Sequence, residues 1–391
     1  MADNRLQKQC ILCGRCLEVC PLFAATGREE LSPKAKMFLA QSLAGDAAGR
    51  LAARPVAELA GLCLGCDRCR AACSQGLSAL DAVAALRAAH PGVRQWLWKM
   101  WITRADTLWP AAARLGGWAQ LAGATKAPQK ATTLRKLAAL AGGESPSPWL
   151  RMLSFNSAPD AERPYALFPG CMAATVRPAW IEAALRMLAA CGRTLAPAVA
   201  WACCGAALAC AGVVDAAAAA RLHNVAAWRQ AGRPRLALFC DTCLHGLQAY
   251  ATDTDIDWSA DEAELWSASL RPLAAVWGTA RFAFEPHAPV TVVYHQPCHG
   301  RAASGSLAWL QGALGSRLRA WTDAECCGLG GVLQLAAPEL SAVVADRCFE
   351  RLAPRPGEQI LSSCSGCVVQ LATFAPAGVS VAHWLDVLVF P

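Results

Sequence analysis

Leu236-Ala237-Leu238-Phe239-Cys240-Asp241-Thr242-Cys243 and Ile360-Leu361-Ser362-Ser363-Cys364-Ser365-Gly366-Cys367 are two versions of one pattern, a short apolar run that ends in Cys-x-x-Cys. A Cys-Cys-Gly precedes each, at Cys203-Cys204-Gly205 and at Cys326-Cys327-Gly328. Further back, another apolar run ends in a single cysteine, at Tyr165–Cys171 and at Val290–Cys298. Corresponding points lie 123 to 127 residues apart, so the C-terminal part of the chain is an internal repeat. Helix-like segments fill the gaps (Trp180–Ala190, Ala216–Ala231, Glu339–Leu352), and alternation of strand with helix predicts two pseudo-symmetric α/β halves with largely parallel sheets.

The N-terminal part carries a different cysteine pattern, also twice. Cys10-x-x-Cys13-x-x-Cys16-x-x-x-Cys20-Pro21 has the spacing by which bacterial ferredoxins hold a cubane [4Fe–4S] cluster, and Cys63-x-x-Cys66-x-x-Cys69-x-x-x-Cys73 repeats it. Three thiolates at short intervals wrap one face of a cube, and the fourth reaches the neighbouring cluster. This assigns Cys10, Cys13, Cys16 and Cys73 to one cluster and Cys63, Cys66, Cys69 and Cys20 to the other. Ser74 stands where a proline is usual, which alters the helix entry and leaves the ligands intact. Cys-x-x-Cys also suits tetrahedral zinc, but two matching four-cysteine runs favour iron–sulfur. Between the runs, Ser32-Pro33 reads as a helix cap followed by proline at the first helical position.

The chain of 391 residues is long enough for two or three domains, and 55% apolar residues with 17% charged exclude a disordered or low-complexity class. Twenty-one cysteines exceed what packing requires. The start, Met1-Ala2-Asp3-Asn4-Arg5, lacks the apolar core of a signal peptide, so a cytoplasmic location is expected, where thiols at tight spacing hold metal more often than they form disulfides. Residues 1–150 hold 19 Lys and Arg against 10 Asp and Glu, and the remainder 17 against 19. That basic excess suits an acidic partner or an anionic surface; nucleic acid is not expected, since no basic run or base-stacking pattern accompanies it. From Lys126 to Pro164 the composition turns to Lys, Thr, Gly, Ser and Pro around one short helix, Leu134 to Leu140, and reads as a linker. Leu195–Val214 is free of charge over a span-like length, but Pro197, Gly205 and the repeated Cys-Cys pair make it a buried strand and turn.

Both motif types together resemble the heterodisulfide reductase family, in particular those of its chains in which paired ferredoxin runs precede two Cys-Cys-Gly domains. The layout is equally similar to the iron–sulfur subunits of glycolate oxidase, D-lactate dehydrogenase and anaerobic glycerol-3-phosphate dehydrogenase. The implied fold is mixed: a mainly α-helical di-cluster ferredoxin-like domain (1–90), a tryptophan-rich helical segment and linker (91–160), and two cysteine-rich Cys-Cys-Gly domains (161–285 and 286–391). Carried over residue by residue, the resemblance implies one or two noncubane [4Fe–4S] clusters. The first would be held by Cys171, Cys203, Cys204, Cys240 and Cys243, the second by Cys298, Cys326, Cys327, Cys364 and Cys367. Adjacent cysteines on extended backbone point to opposite sides, which suits an opened cluster better than a regular cube. Cys191, Cys210 and Cys348 lie outside every motif and read as small buried hydrophobes.

His295 and His299 flank Cys298. Either could supply protons to a thiolate product or hydrogen-bond a cluster sulfur, or be a structural histidine; His245, just past Cys243, is a weaker candidate of the same kind. Trp96, Trp98, Trp101, Trp109 and Trp118 lie in a helical pattern broken at Pro110, with Arg94, Lys99 and Arg104 among them. Membrane contact, partner docking and packing on the chain's own core all fit. No nucleotide-binding glycine turn, Walker lysine or hydrolase elbow is present, so flavin and NAD are expected on another chain. The resemblance then implies an electron-transfer subunit of a membrane-associated anaerobic oxidoreductase. It would relay electrons between a flavoprotein dehydrogenase for lactate, glycolate or glycerol 3-phosphate and a quinone-reactive or cytochrome b acceptor, at the cytoplasmic face of the inner membrane. The alternative is a catalytic subunit in which the second five-cysteine set, with His295 and His299, cleaves or forms a disulfide. The chain purified without oxygen is expected to be brown with visible charge-transfer absorbance; a colourless chain with stoichiometric zinc would end the iron–sulfur reading.

Overall fold

The computed structural model describes residues 9–45, 53–123, 132–142, 147–154, 163–276, 280–300, 305–321 and 325–390. Parts of the linker expected between Lys126 and Pro164 lie outside the described residues. The chain divides into two compact units that do not follow chain order. One comprises Met1–Lys99 with Ala207–Val214 and Gly328–Arg347; the other comprises Met100–Ala206, Asp215–Cys327 and Cys348–Pro391. The first added segment begins just after one Cys-Cys-Gly and the second at the glycine of the other, so each half of the repeat lends a piece to the N-terminal unit.

The first unit is helical. Ser32 Oγ accepts from Ala35 N at 3.2 Å ahead of the helix Pro33–Gly45, as the Ser-Pro pair predicts. Ser78 caps the helix Ala79–Ala89 in the same way, accepting from Leu80 and Asp81. Arg87, on that helix, hydrogen-bonds the carbonyls of Gly61, Cys63 and Cys210, and Trp98 donates to Ala207 O at 3.2 Å, so the inserted segment is tied in by long polar side chains.

The second unit holds three sheets. β1 is Leu150–Ser154, β2 Tyr165–Phe168, β3 Arg235–Leu238, β4 Leu270–Pro272, β5 Arg281–Phe284, β6 Val292–His295, β7 Leu318–Ala320, β8 Gln359–Ser362, β9 Ser380–His383 and β10 Leu388–Val389. The first half of the repeat forms the parallel sheet β2-β3-β4, the second the parallel sheet β7-β6-β8-β9. β3 and β8 are buried at every residue, as expected of strands covered on both faces. In the first half the place of β7 is taken by a single parallel bridge, Tyr165 to Leu195. That bridge lies in the charge-free stretch, and no helix among the described residues is long and apolar enough to cross a membrane.

Two expectations need correction. The helical break falls at Arg104 (φ −112°, ψ 30°), between helices Val93–Thr103 and Ala105–Leu121, and Pro110 lies inside the second helix. Proline there forfeits one N–H bond soon after the helix start, which the packing tolerates. The linker, for its part, holds a strand as well as its helix. The helix, Thr132–Ala141, runs so close to Ala105–Leu121 that a Cβ on Gly116 would overlap the backbone of Leu137. β1 follows, paired antiparallel with β5 and parallel with β10. Trp149 is buried there and donates to Gln359 Oε1 at 2.8 Å.

Glu262 fastens the outer edge of the first half. It is 4% exposed, accepts from Arg229 at 2.6 and 2.9 Å and from Arg233 at 3.0 Å, and its carboxyl is pulled down to about 2, chiefly by the Arg229 hydrogen bond. A depressed acid stabilises the fold above its unfolded pKa and loses that contribution as pH falls toward the folded value. Glu262→Gln is therefore expected to cost about 1–2 kcal/mol at neutral pH, with the gap to the parent narrowing below about pH 4 in equilibrium denaturation.

Candidate iron–sulfur sites

The two ferredoxin-like runs share a backbone shape. Left-handed residues fall at matching places, Leu12 (φ 57°) and Gly14 in the first run, Gly65 and Asp67 (φ 51°) in the second. Alternation of this kind turns successive N–H groups inward and forms a concavity for anionic groups; Gly65 N lies 3.5 Å from Cys63 Sγ. Cys20, from the end of the first run, lines one cavity with Cys63, Cys66 and Cys69. The four thiols assigned to one cluster from spacing are thus brought together. Arg68 lines the same cavity, and its buried Nε has no acceptor among the described residues. Four thiols and an unused donor in one cavity fit a sulfide-rich anionic cluster. Burial is the main cause that raises the thiols of Cys20 and Cys69, the latter to about 11. The Cys10 run is more open: Cys13, Ile11 and Leu12 are exposed. Cys16, raised mainly by burial, lies in the fields of Cys10, Cys13 and Cys20.

In the second unit the repeat places its cysteines at the C-terminal ends of parallel strands. β3 runs into Cys240, the N-cap of the helix Asp241–Gln248, and β8 into Cys364, the N-cap of the helix Ser365–Phe374. Cys243 and Cys367 follow in the first turns. Cys171 lies in the short helix Gly170–Thr175 after β2, and Cys298 begins the turn Cys298–Gly300 after β6. The Cys-Cys pairs reach the same ends from loops whose glycines, Gly205 and Gly328, take φ of 75° and 85°; a Cβ on Gly328 would lie 2.4 Å from Ser341 O.

Nine of the ten thiols lie in one row, each acting on the next: Cys171, Cys203, Cys204, Cys243, Cys240, Cys364, Cys367, Cys327 and Cys326. Cys327 and Cys367 are 3.2 Å apart. The two five-cysteine sets meet at Cys240 and Cys364. Neighbouring thiols cannot all ionise in a buried site, and the acceptors of the row are favoured. Hydrogen bonds from Cys171 and Cys204 hold Cys203 well below the ordinary thiol range, and those from Cys243 and Cys364 do the same for Cys240. Cys171, Cys204 and Cys243 are pushed up as donors, and Cys364 to about 12. A row of thiols of this kind provides ligands for polynuclear clusters.

A polar seam joins the halves beside this row. Asp241 N donates to Ser363 O at 3.0 Å, Ser363 Oγ donates to Asp241 Oδ2 at 2.6 Å, and Tyr294 OH bonds Ser363 Oγ at 2.7 Å. Thr242 Oγ1 lies 3.1 Å from Cys364 Sγ and 3.3 Å from His299 Nδ1, and His299 stacks on His245 at 4.3 Å. His295 is placed differently. It is fully buried, its ring bonds Ser362 Oγ at 3.1 Å and Glu325 O at 3.0 Å, and burial lowers it to about 4. It is neutral at physiological pH and holds the residue before Cys326 against β8.

Sequence reasoning missed Asn224 and Tyr250. Asn224 accepts from Ala202 N at 2.8 Å and donates to Cys203 O and Tyr250 OH, and Tyr250 donates to Cys204 O at 3.0 Å, so the Cys-Cys loop is pinned from both sides. An uninterrupted Ala-rich helix containing one asparagine was the available signal. Cys191 and Cys348 are buried as expected, while the thiol of Cys210 packs beside Gly65 in the second ferredoxin-like loop. Of the tryptophans, Trp98 and Trp109 are core, and Trp96 and Trp118 are exposed.

Residues 7–77 match the family described as 4Fe-4S dicluster domain, and residues 165–248 and 292–372 each match the cysteine-rich domain. The chain therefore carries a 4Fe-4S dicluster domain followed by two cysteine-rich domains. Among characterised proteins it is similar to the glycolate oxidase iron-sulfur subunit of Escherichia coli (strain K12), 24% identical over 99% of this chain and 94% of that one. Asn224→Ala is expected to destabilise the second unit by about 1–3 kcal/mol and to lower the iron retained per chain, leaving ferredoxin-type signals unchanged; thermal unfolding and iron analysis report the two effects.

Proposed function

We propose that this chain is the electron-carrying subunit of a flavin-dependent oxidase or dehydrogenase complex for a small 2-hydroxy acid, glycolate or lactate, or for glycerol 3-phosphate. The observation that carries it is the row of neighbouring thiols spanning both cysteine-rich domains, which suits passage of electrons from one cluster to the next. The similarity to a glycolate oxidase subunit over nearly the full chain supports the same reading. Cys10, Cys13, Cys16 and Cys73 would hold one cubane and Cys63, Cys66, Cys69 and Cys20 the other. Cys171, Cys203, Cys204, Cys240 and Cys243, and Cys298, Cys326, Cys327, Cys364 and Cys367, would hold one or two noncubane clusters. When bound, these groups supply one-electron storage at graded potentials.

The chain's own residues do the rest. Cys240, at a helix N-terminus and accepting from Cys243 and Cys364, is held toward thiolate, while Cys364 keeps its proton as the donor. Asn224, Tyr250 and His295 fix the Cys-Cys loops. The flavin that takes hydride from the substrate belongs to a partner chain, and the acceptor beyond this subunit is a quinone-reactive or cytochrome b partner at the cytoplasmic face of the membrane. A disulfide-cleaving role has two observations in its favour: both five-cysteine sets are complete, and Cys171 and Cys298 are only half-buried.

Iron analysis of the anaerobic chain is expected to give about sixteen irons if both noncubane clusters are present and about twelve if one is. Paramagnetic resonance during reduction by the flavoprotein partner should show all clusters reduced in turn. A new oxidised signal that appears only with an added disulfide would overturn the relay in favour of the disulfide-cleaving role.

A further inference from the structure

Lys36 has no part in the scheme above, and its burial needs a reason. It is 1% exposed, lines the cavity of Cys20, Cys63, Cys66 and Cys69, and its ammonium donates to Leu31 O. Burial and the nearby Arg87 work against its charge and on balance lower its pKa, while the thiols of Cys63, Cys20 and Cys69 work for the charge. A buried lysine with no carboxylate partner among the described residues is rare, and is kept where a negative group pairs with it. Two more cations attend the same site. Arg68 lines the cavity with its Nε unused, and the guanidinium of Arg87 is spread over the carbonyls of Gly61, Cys63 and Cys210, with Cys63 O at 3.1 Å. Asp67, the acidic group on the cavity, is already engaged by Arg70 at 2.7 Å and by Ser78.

The other ferredoxin-like run differs. Lys34 is the cation whose field reaches Cys10 and Cys16; it lies toward solvent and is paired with Glu29. Water and salt screen a charge in that position, whereas the Lys36 ammonium acts through the protein interior.

We infer that Lys36, supported by Arg68 and Arg87, is a potential-setting residue that makes the cluster of Cys20, Cys63, Cys66 and Cys69 the higher-potential cubane of the pair, where an electron entering the N-terminal unit comes to rest. This rests on the assignment of those four cysteines to one cubane. Reduction adds one negative charge to the cluster, and a fixed positive charge in the same cavity stabilises that charge directly. No bond is made or broken.

The test is an anaerobic redox titration of the full chain, followed by paramagnetic resonance, for the parent, Lys36→Met and Lys36→Arg. Lys36→Met is expected to shift one cubane to lower potential, so that its reduced fraction at the parent midpoint falls on the order of tenfold, the size set by a unit charge several ångströms away at an effective dielectric near 20. The second cubane should not move, the shift should persist at high salt, and Lys36→Arg should restore most of the parent value. Equal shifts in both cubanes, or no shift with iron content unchanged, overturn the inference. If Lys36→Met loses its clusters, Arg68→Gln decides: a smaller shift in the same direction supports the inference, and none overturns it. A parent chain that shows no cubane signal would instead fail the cluster assignment.

Discussion

Cys240 and Cys364 face each other across the join between the two halves of the repeat, each at the N-terminus of a helix that starts where a buried parallel strand stops. Parallel strands deliver their C-terminal ends to one side, and the helix that follows each strand must begin there, so a Cys-x-x-Cys at the junction puts one thiol on the cap and one in the first turn. Duplication of the half then brings two such ends together. The Asp241 and Ser363 hydrogen bonds fix the distance between them, and the thiols fall into a row.

The row shows how a protein makes neighbouring buried thiols tolerable before any metal neutralises them. Each shares its proton with the next, and Cys203 and Cys240, which accept from both sides, carry the tendency to ionise. Iron held by these thiols would replace the shared protons with a far larger positive charge, and loading would then release protons.

Much of this was legible because it is local. Strands at β2, β3, β6 and β8, the helices between them and the repeat itself follow from apolar runs and spacing, and the grouping of Cys20 with Cys63, Cys66 and Cys69 follows from ferredoxin spacing. What escaped depends on distant chain segments meeting. The stacked pair His245 and His299, the Thr242 hydroxyl beside Cys364 and the hold of Asn224 on Cys203 join residues far apart in sequence, and no periodicity announces them. Lys36 reads as an ordinary polar residue in a weakly amphipathic helix, and only its burial sets it apart. β1 was hidden because its alternation spans just five residues inside a Gly, Ser and Pro-rich stretch.

The loans made by the repeat to the N-terminal unit, Ala207–Val214 and Gly328–Arg347, have a consequence for how such a chain is inherited. Arg87 and Trp98 reach carbonyls of the first loan, so a ferredoxin-like piece cut away at a linker would lose partners it needs for its own core. Shuffling of this module as a separate cassette is thereby penalised, and its surfaces are free to diverge only in step with the two loops that follow the Cys-Cys-Gly turns.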